Sequence, residues 1–337
     1  MSVPRTSDPA TLFEAARGGD RGALARLLSL VERGGPASRE VAGLAFKTPG
    51  DAYSVGITGS PGAGKSTLTD RLIGLGRLQG FNGGQELAVL AVDPSSPYSG
   101  GAILGDRVRM QGHAGDDGVF IRSMATRGHL GGLSVAVPDA IRLFSAVGMP
   151  TVLVETVGVG QQEVEVAAAT DTTVVVVNPG WGDAVQANKA GLLEIANLFV
   201  INKADRPGAR QTRRDLEAML DLTDLSDVGE WRPPIVNTVA STGEGVDGLW
   251  TAIGEHRDHQ IRTGVLAPLR EERLRREFRQ ILLARMEQEL DARAGADEFA
   301  AVVAAMVGGD LDPYQAVDRL LDDLIRLPRP PAADGRG

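Results

Sequence analysis

Cysteine is absent from the 337 residues, and this removes disulfides, thiolate zinc sites, iron–sulfur clusters and cysteine nucleophiles together. Lysine is scarce as well. Lys47, Lys65, Lys189 and Lys203 are the only lysines among 35 basic residues, so each is informative. Positive charge is in deficit: 44 acidic residues against 35 basic give a net charge of −9, which argues against nucleic acid or an anionic lipid surface as partner. No window approaches the ~18 apolar residues of a membrane span, and no apolar stretch follows Arg5. The expectation is a cytoplasmic protein without membrane attachment. Histidines 113, 129, 256 and 259 show no metal-ligand spacing, and surface or packing roles suit them better.

What is present is ample apolar material, 42% of residues, in a length that suits one large domain with additions or two domains. Leu12, Ala15, Leu24, Leu27, Leu28 and Val31 recur at helical spacing, with Gly18-Gly19 as a break, so residues 1–46 read as a helical extension. From Ala52 onward, β-branched runs at 53–57, 87–92, 119–123, 151–155, 173–177, 198–201 and 235–239 alternate with glycine-rich turns and amphipathic stretches. Those at 151–155 and 173–177 are nearly continuous in Val, Leu and Thr, as in strands covered on both faces. The expected fold is α/β, a doubly wound, mostly parallel sheet over residues 47–254. Beyond Trp250, Leu274, Phe278, Ile281, Leu282, Met286 and Leu290 mark one face of a long helix, so 255–326 reads as a helical region and 327–337 as a disordered tail.

Gly59-Ser60-Pro61-Gly62-Ala63-Gly64-Lys65-Ser66-Thr67 fits G-x-x-x-x-G-K-[ST] between a predicted strand and a predicted helix, the context this phosphate loop requires. Its glycines let successive N–H groups turn toward phosphate oxygens at the positive end of the following helix. Lys65 would bridge the β- and γ-phosphates, Ser66 would offer a hydroxyl to Mg²⁺, and Thr67 would help to hold an α-phosphate. The domain is therefore expected to be a P-loop nucleotide hydrolase.

Asn202-Lys203-Ala204-Asp205 follows the strand at 198–201 and resembles the base-reading N-K-x-D motif of GTPases. A carboxylate at 205 can accept both the N1–H and the exocyclic amine of guanine, whereas adenine offers neither. Such a site rejects the wrong purine by leaving the carboxylate unpaired. Lys203 would lie along the base with its aliphatic stem, and Asn202 would tie the loop together. Val239-Ala240-Ser241 is a weaker candidate for a turn whose amide meets guanine O6. Asp93, Asp106 and Glu155 stand at or near strand ends where Mg²⁺ would be held with Ser66. Glu155 is a base or metal partner, and the Gly158 amide would face the γ-phosphate. Strand-end capping accounts equally well for each acid taken singly.

Longer segments carry a more specific likeness. DPSSPYSGGAILGDRVRM at 93–110, RSMATRGHLGGLS at 122–134, ETVGVGQQEVEV at 155–166, GDAVQANKAGLLEIANLFVINKAD at 182–205 and DPYQAVDRLL at 312–321 resemble the MeaB/ArgK family, the G-protein chaperones of adenosylcobalamin-dependent methylmalonyl-CoA mutase. The resemblance implies a GTPase, slow alone and stimulated by its partner; the residues themselves offer Lys65 and Glu155 as the catalytic candidates. It would gate delivery of adenosylcobalamin to the mutase or a related acyl-CoA mutase, protect the working enzyme and promote removal of damaged cofactor. The cobalamin itself stays on the partner. The resemblance also implies a homodimer joined through C-terminal helical arms and a partner-sensing switch in Asn178–Lys189, where Asp183, Gln186 and Lys189 are the candidates. Trp181 and Asn197 depart from the family pattern and leave the choice of mutase open. Neither Gln161 nor Gln162 takes the place of a water-orienting glutamine. Two rival readings share the phosphate loop: a metallochaperone GTPase, disfavoured by the lack of cysteine and of a histidine-rich tract, and a kinase acting on a transport protein.

Overall fold

Valine-rich runs with little alternation form strands buried on both faces. A computed structural model describes residues 8–81, 84–94, 111–113, 115–126, 132–156, 166–180, 194–222, 231–293 and 296–326. It contains a seven-stranded sheet built from β1 (Tyr53–Gly59), β2 (Leu87–Pro94), β3 (Val119–Thr126), β4 (Thr151–Thr156), β5 (Thr172–Val177), β6 (Leu198–Asn202) and β7 (Ile235–Thr238). The order is β3-β2-β4-β1-β5-β6-β7 and every pairing is parallel. All residues of β1, β4, β5 and β6 are buried. In β5, Val174 and Val176 enter one core while Val175 and Val177 enter another, the period-2 pattern of a sheet covered on both sides.

The covering helices are α1 (Pro9–Arg17), α2 (Arg21–Arg33), α3 (Pro36–Lys47), α4 (Lys65–Gln79), α5 (Gly132–Ala146), α6 (Ala209–Asp221) and α7 (Val246–Thr263). Asp8 and Asp20 cap α1 and α2 by accepting the Thr11 and Ala23 amides, and Gly18 and Gly19 separate the two helices as expected. A third prefix helix, α3, was not legible in the sequence. It buries only Ser38, Val41 and Ala45, too few apolar positions for a clear period, and it begins after Gly34 and Gly35 at φ 74° and 86°.

The prefix is part of the sheet's own packing. Leu27 and Leu28 share a core with Leu143 and Phe144 of α5 and with Leu90 and Val154 of the sheet. Arg21 donates to the Asp117 carbonyl at 2.6 Å, and Arg122 of β3 pairs with Glu32 of α2 at 2.8 Å. On the other face, α4 and α7 supply Leu68, Leu72, Ile73, Leu249, Trp250 and Ile253. Helix α7 is continuous through residue 254, where the sequence pattern suggested a domain boundary; His256 and Gln260 beyond that point are buried too.

The chain separates into two compact units, the first ending at Glu277. The first includes the beginning of α8 (Leu266–Arg293), which is anchored at the amino end of the sheet. Asp171, just before β5, accepts the Ser54 amide at 3.0 Å and both Arg270 Nε at 3.0 Å and Arg270 Nη2 at 2.9 Å; Arg273 binds the same carboxylate. Burial alone would raise the Asp171 pKa, but the Arg270 hydrogen bond and the two guanidinium charges hold it at about 2. Arg142 bridges Asp139 at 2.7 Å and Glu277 at 2.8 Å. The second unit holds the rest of α8 with α9 (Ala296–Val307) and α10 (Pro313–Arg326), and Val302 and Ala316 are buried in it. Along α8, Phe278, Ile281, Leu282 and Met286 are exposed, Phe278 by 65%. Among the described residues no helix is long and apolar enough to cross a membrane.

Candidate functional site

The carboxyl ends of β1, β4, β6 and β7 lie along one edge of the sheet, where open α/β folds bind ligands. Strand order reverses about β1, with β4 on one side and β5 on the other. The predicted phosphate loop leaves the sheet at this point. Gly59 ends β1 at φ 129°, and a Cβ there would come within 2.0 Å of the Val176 carbonyl, so only glycine lets the chain pass β5. Gly62 and Gly64 are also left-handed, at φ 72° and 90°. Helix α4 then starts at Lys65 with no side-chain cap, leaving its first amides to the loop or a ligand.

Lys65 is buried, and its ammonium donates to the carbonyls of Gly59 at 2.6 Å and Ser60 at 3.2 Å, lying across the loop it belongs to. Ser66 donates its hydroxyl to Glu155 Oε1 at 2.6 Å, bringing the start of α4 onto the end of β4. Ala63 is buried, whereas Pro61 and Thr67 are exposed.

The base-reading candidates sit two strands away and are tied to the same loop. Asn202, buried at the end of β6, donates Nδ2 to the Ala63 carbonyl at 2.7 Å. Its Oδ1 accepts the Thr238 hydroxyl at 3.1 Å and the Ala240 amide at 3.0 Å. Lys203 donates Nζ to the Gly62 carbonyl at 2.6 Å from a backbone at φ 58°, the one positive φ outside glycine among the described residues. Asp205 is exposed beyond the turn. Val239 and Ala240 are buried and Ser241 is exposed. The structure therefore brings the phosphate-loop, base-reading and 239–241 candidates together. Asp93 is the last but one residue of β2 in backbone, but its side chain lies outside the described residues, as do Asp106, Gly158, Asp183, Gln186 and Lys189.

Sequence reasoning missed several long-range contacts, one at this edge and the others at the amino end of the sheet. Thr58 and Thr156 join β1 to β4 through a hydroxyl pair at 3.2 Å. Asn197 accepts the Thr173 amide through Oδ1 at 2.8 Å, and Trp231 Nε1 donates to its carbonyl at 2.7 Å. His256 is buried against Thr172, with Nδ1 2.7 Å from its hydroxyl; burial, reinforced by nearby His259, lowers its pKa to about 4. Each contact joins residues far apart in the chain, so no local pattern announces it.

With this geometry in view, comparison with known proteins is decisive. The family model described as methylmalonyl-CoA mutase-associated GTPase MeaB matches residues 24–295. The chain belongs to the MeaB family. A Pyrococcus abyssi protein with a provisional GTPase name is 48% identical over 93% of this chain and 96% of its own length. Escherichia coli GTPase ArgK is 37% identical over 78% of this chain and 81% of its own. The mouse protein named methylmalonic aciduria type A homolog, mitochondrial, is 36% identical over 75% of this chain and 64% of its own. The crystal structure of a protein named LAO/AO transport system kinase superposes with a TM-score of 0.72 at 27% identity, covering 96% of this chain and all of that one. Membership in MeaB makes this chain a P-loop GTPase by fold and family, related to ArgK and the mouse protein. That fold implies nucleotide binding, typically with Mg²⁺.

Proposed function

We propose that the chain binds and hydrolyses GTP as a chaperone of an adenosylcobalamin-dependent methylmalonyl-CoA mutase or related acyl-CoA mutase. The observation that carries the reading is the tie between the two loops, in which Asn202 and Lys203 hold the carbonyls of Ala63 and Gly62. The tie supports a ligand that carries a polyphosphate at one end and a purine at the other. The family description associates MeaB with methylmalonyl-CoA mutase and supports the partner class.

In this reading the Lys65 ammonium leaves the Gly59 and Ser60 carbonyls for the β- and γ-phosphates. The backbone N–H groups of the 59–67 loop, which Pro61 lacks, and that of Gly158 orient the phosphate chain. Asp205 accepts from the guanine ring, Lys203 covers it, and the 239–241 turn faces O6. Ser66 and Glu155 form an all-oxygen donor pair of the kind a hard divalent cation prefers, with Asp93 and Asp106 as further carboxylates. Mg²⁺ held there would offset negative charge on the phosphates during transfer. Asp183, Gln186 and Lys189 would transmit the nucleotide state to the mutase, residues beyond 270 would join two copies, and the cobalamin would remain on the mutase.

Calorimetry on the full chain tests the site. GTP should bind and ATP should not compete; equal affinity for the two overturns the guanine assignment. Lys65→Ala should reduce turnover on the order of a hundredfold or more. Asp205→Asn should weaken GTP by about a hundredfold while narrowing the gap to ATP, because a charged acceptor for two donors is lost. Similarity to a protein named a transport system kinase favours a second reading, phosphoryl transfer to another acceptor. With γ-labelled GTP, free phosphate as the sole product supports hydrolysis, whereas label on a protein or small molecule supports the kinase.

A further inference from the structure

Arg71 lies on α4, six residues after Lys65, and its guanidinium reaches to the turn that follows β7. Nε donates to the Ala240 carbonyl at 3.1 Å and Nη2 to the Ser241 carbonyl at 2.8 Å. The rest of that turn can be accounted for group by group. Val239 donates its amide to the Glu244 carbonyl and accepts from the Thr242 and Gly243 amides, while Ala240 donates to Asn202 Oδ1. Across the three peptide units joining Val239 to Thr242, every carbonyl has a donor, and Ser241 N–H is the amide without an acceptor among the described residues. A trans peptide is planar and points its N–H opposite to its carbonyl, so a guanidinium that fixes the Ala240 carbonyl also fixes the direction of the Ser241 N–H.

We infer that Arg71 is a specificity-determining positioning residue, which holds the 240–241 peptide so that the Ser241 amide donates to the 6-oxo group of a bound purine. The inference rests on the guanine reading above and extends it to a side chain outside the nucleotide motifs. One helix then serves both ends of the ligand: its first turn faces the phosphates, and its second holds the turn that inspects the base. The physical gain is preorganisation, since a donor already aimed at the oxygen need not be ordered on binding.

The test is calorimetry on the full-length protein with GDP, ADP and 6-thioguanosine diphosphate, for the unmodified chain, Arg71→Met and Arg71→Lys, each checked for folding by thermal unfolding. The thio analogue keeps both donors read by Asp205 but replaces the 6-oxo acceptor with sulfur, a much weaker one. The unmodified protein should prefer GDP to both other ligands. Arg71→Met should weaken GDP about tenfold and the thio analogue less than threefold, closing the gap between them, and Arg71→Lys should restore part of that gap. Equal weakening of the two guanine ligands would overturn the inference by reducing Arg71 to general support of the fold, and unchanged affinities would overturn it by showing the turn is held without it. If the unmodified protein binds ADP as well as GDP, the guanine reading itself fails. Selectivity against ADP with no Arg71 effect on the thio gap defeats only the present inference.

Discussion

A methyl group at position 64 would stand 2.5 Å from Asn202 Nδ2, the atom that joins the phosphate loop to the base-reading strand. Gly64 also sits at φ 90°, a conformation that costs an alanine roughly 1–2 kcal/mol. Gly64→Ala should therefore lower stability by about that amount in urea unfolding and weaken nucleotide binding by tenfold or more in calorimetry. Unchanged binding would show that Asn202 can move without consequence. The glycine was legible as part of a motif, but its second duty was not. A consensus assigns it to phosphate approach, whereas the structure also makes it the space into which Asn202 fits. Lys203 shows the converse: its left-handed backbone points the side chain across the loop, and nothing in N-K-A-D alone specifies φ.

At the scale of elements, the start of α8 is held to the sheet by charge. Asp171 serves Ser54, Arg270 and Arg273 at once, and removing it would leave two partly buried guanidinium groups without their counterion. Asp171→Asn should cost about 3 kcal/mol in denaturant unfolding; a loss below about 1 kcal/mol would mean solvent replaces the clamp. Acid should weaken the fold in two stages. His256 is held at about 4 in the folded protein against 6.5 ordinarily, so the unfolded chain binds the proton first and stability falls as pH drops from 6.5 toward 4, by up to about 3 kcal/mol. Asp171 is held at about 2 against 3.8, so its contribution is complete above pH 3.8 and is lost as pH falls toward 2, a further ~2 kcal/mol. Stability curves from pH 8 to pH 2 check both, and in Asp171→Asn the lower stage should shrink, with Asp8 and Asp116 still contributing, while the upper one persists with His256 held lower still.

For the whole molecule, the proposed dimer makes the most direct prediction. A chain ending at Glu277 keeps Arg270, Arg273 and the Arg142–Glu277 pair but lacks the exposed Phe278, Ile281, Leu282 and Met286. It should be monomeric in analytical ultracentrifugation while binding GTP as the full chain does. A truncated dimer would place the interface elsewhere. The sheet was readable in advance because strands buried on both faces must be nearly continuous in β-branched residues, and the phosphate loop and N-K-A-D were readable because each works through residues adjacent in the chain. The third prefix helix escaped because so little of it is buried, and the extent of α7 because its apolar face continues past the composition change at 250. From its residues alone, then, this protein determined its strands, its phosphate loop and its family. Only the tertiary structure decided that Asn202, Lys203 and Arg71 bind one loop or turn to another and that Asp171 anchors α8. These are contacts between residues tens to hundreds of positions apart, and a spacing rule sees only neighbours.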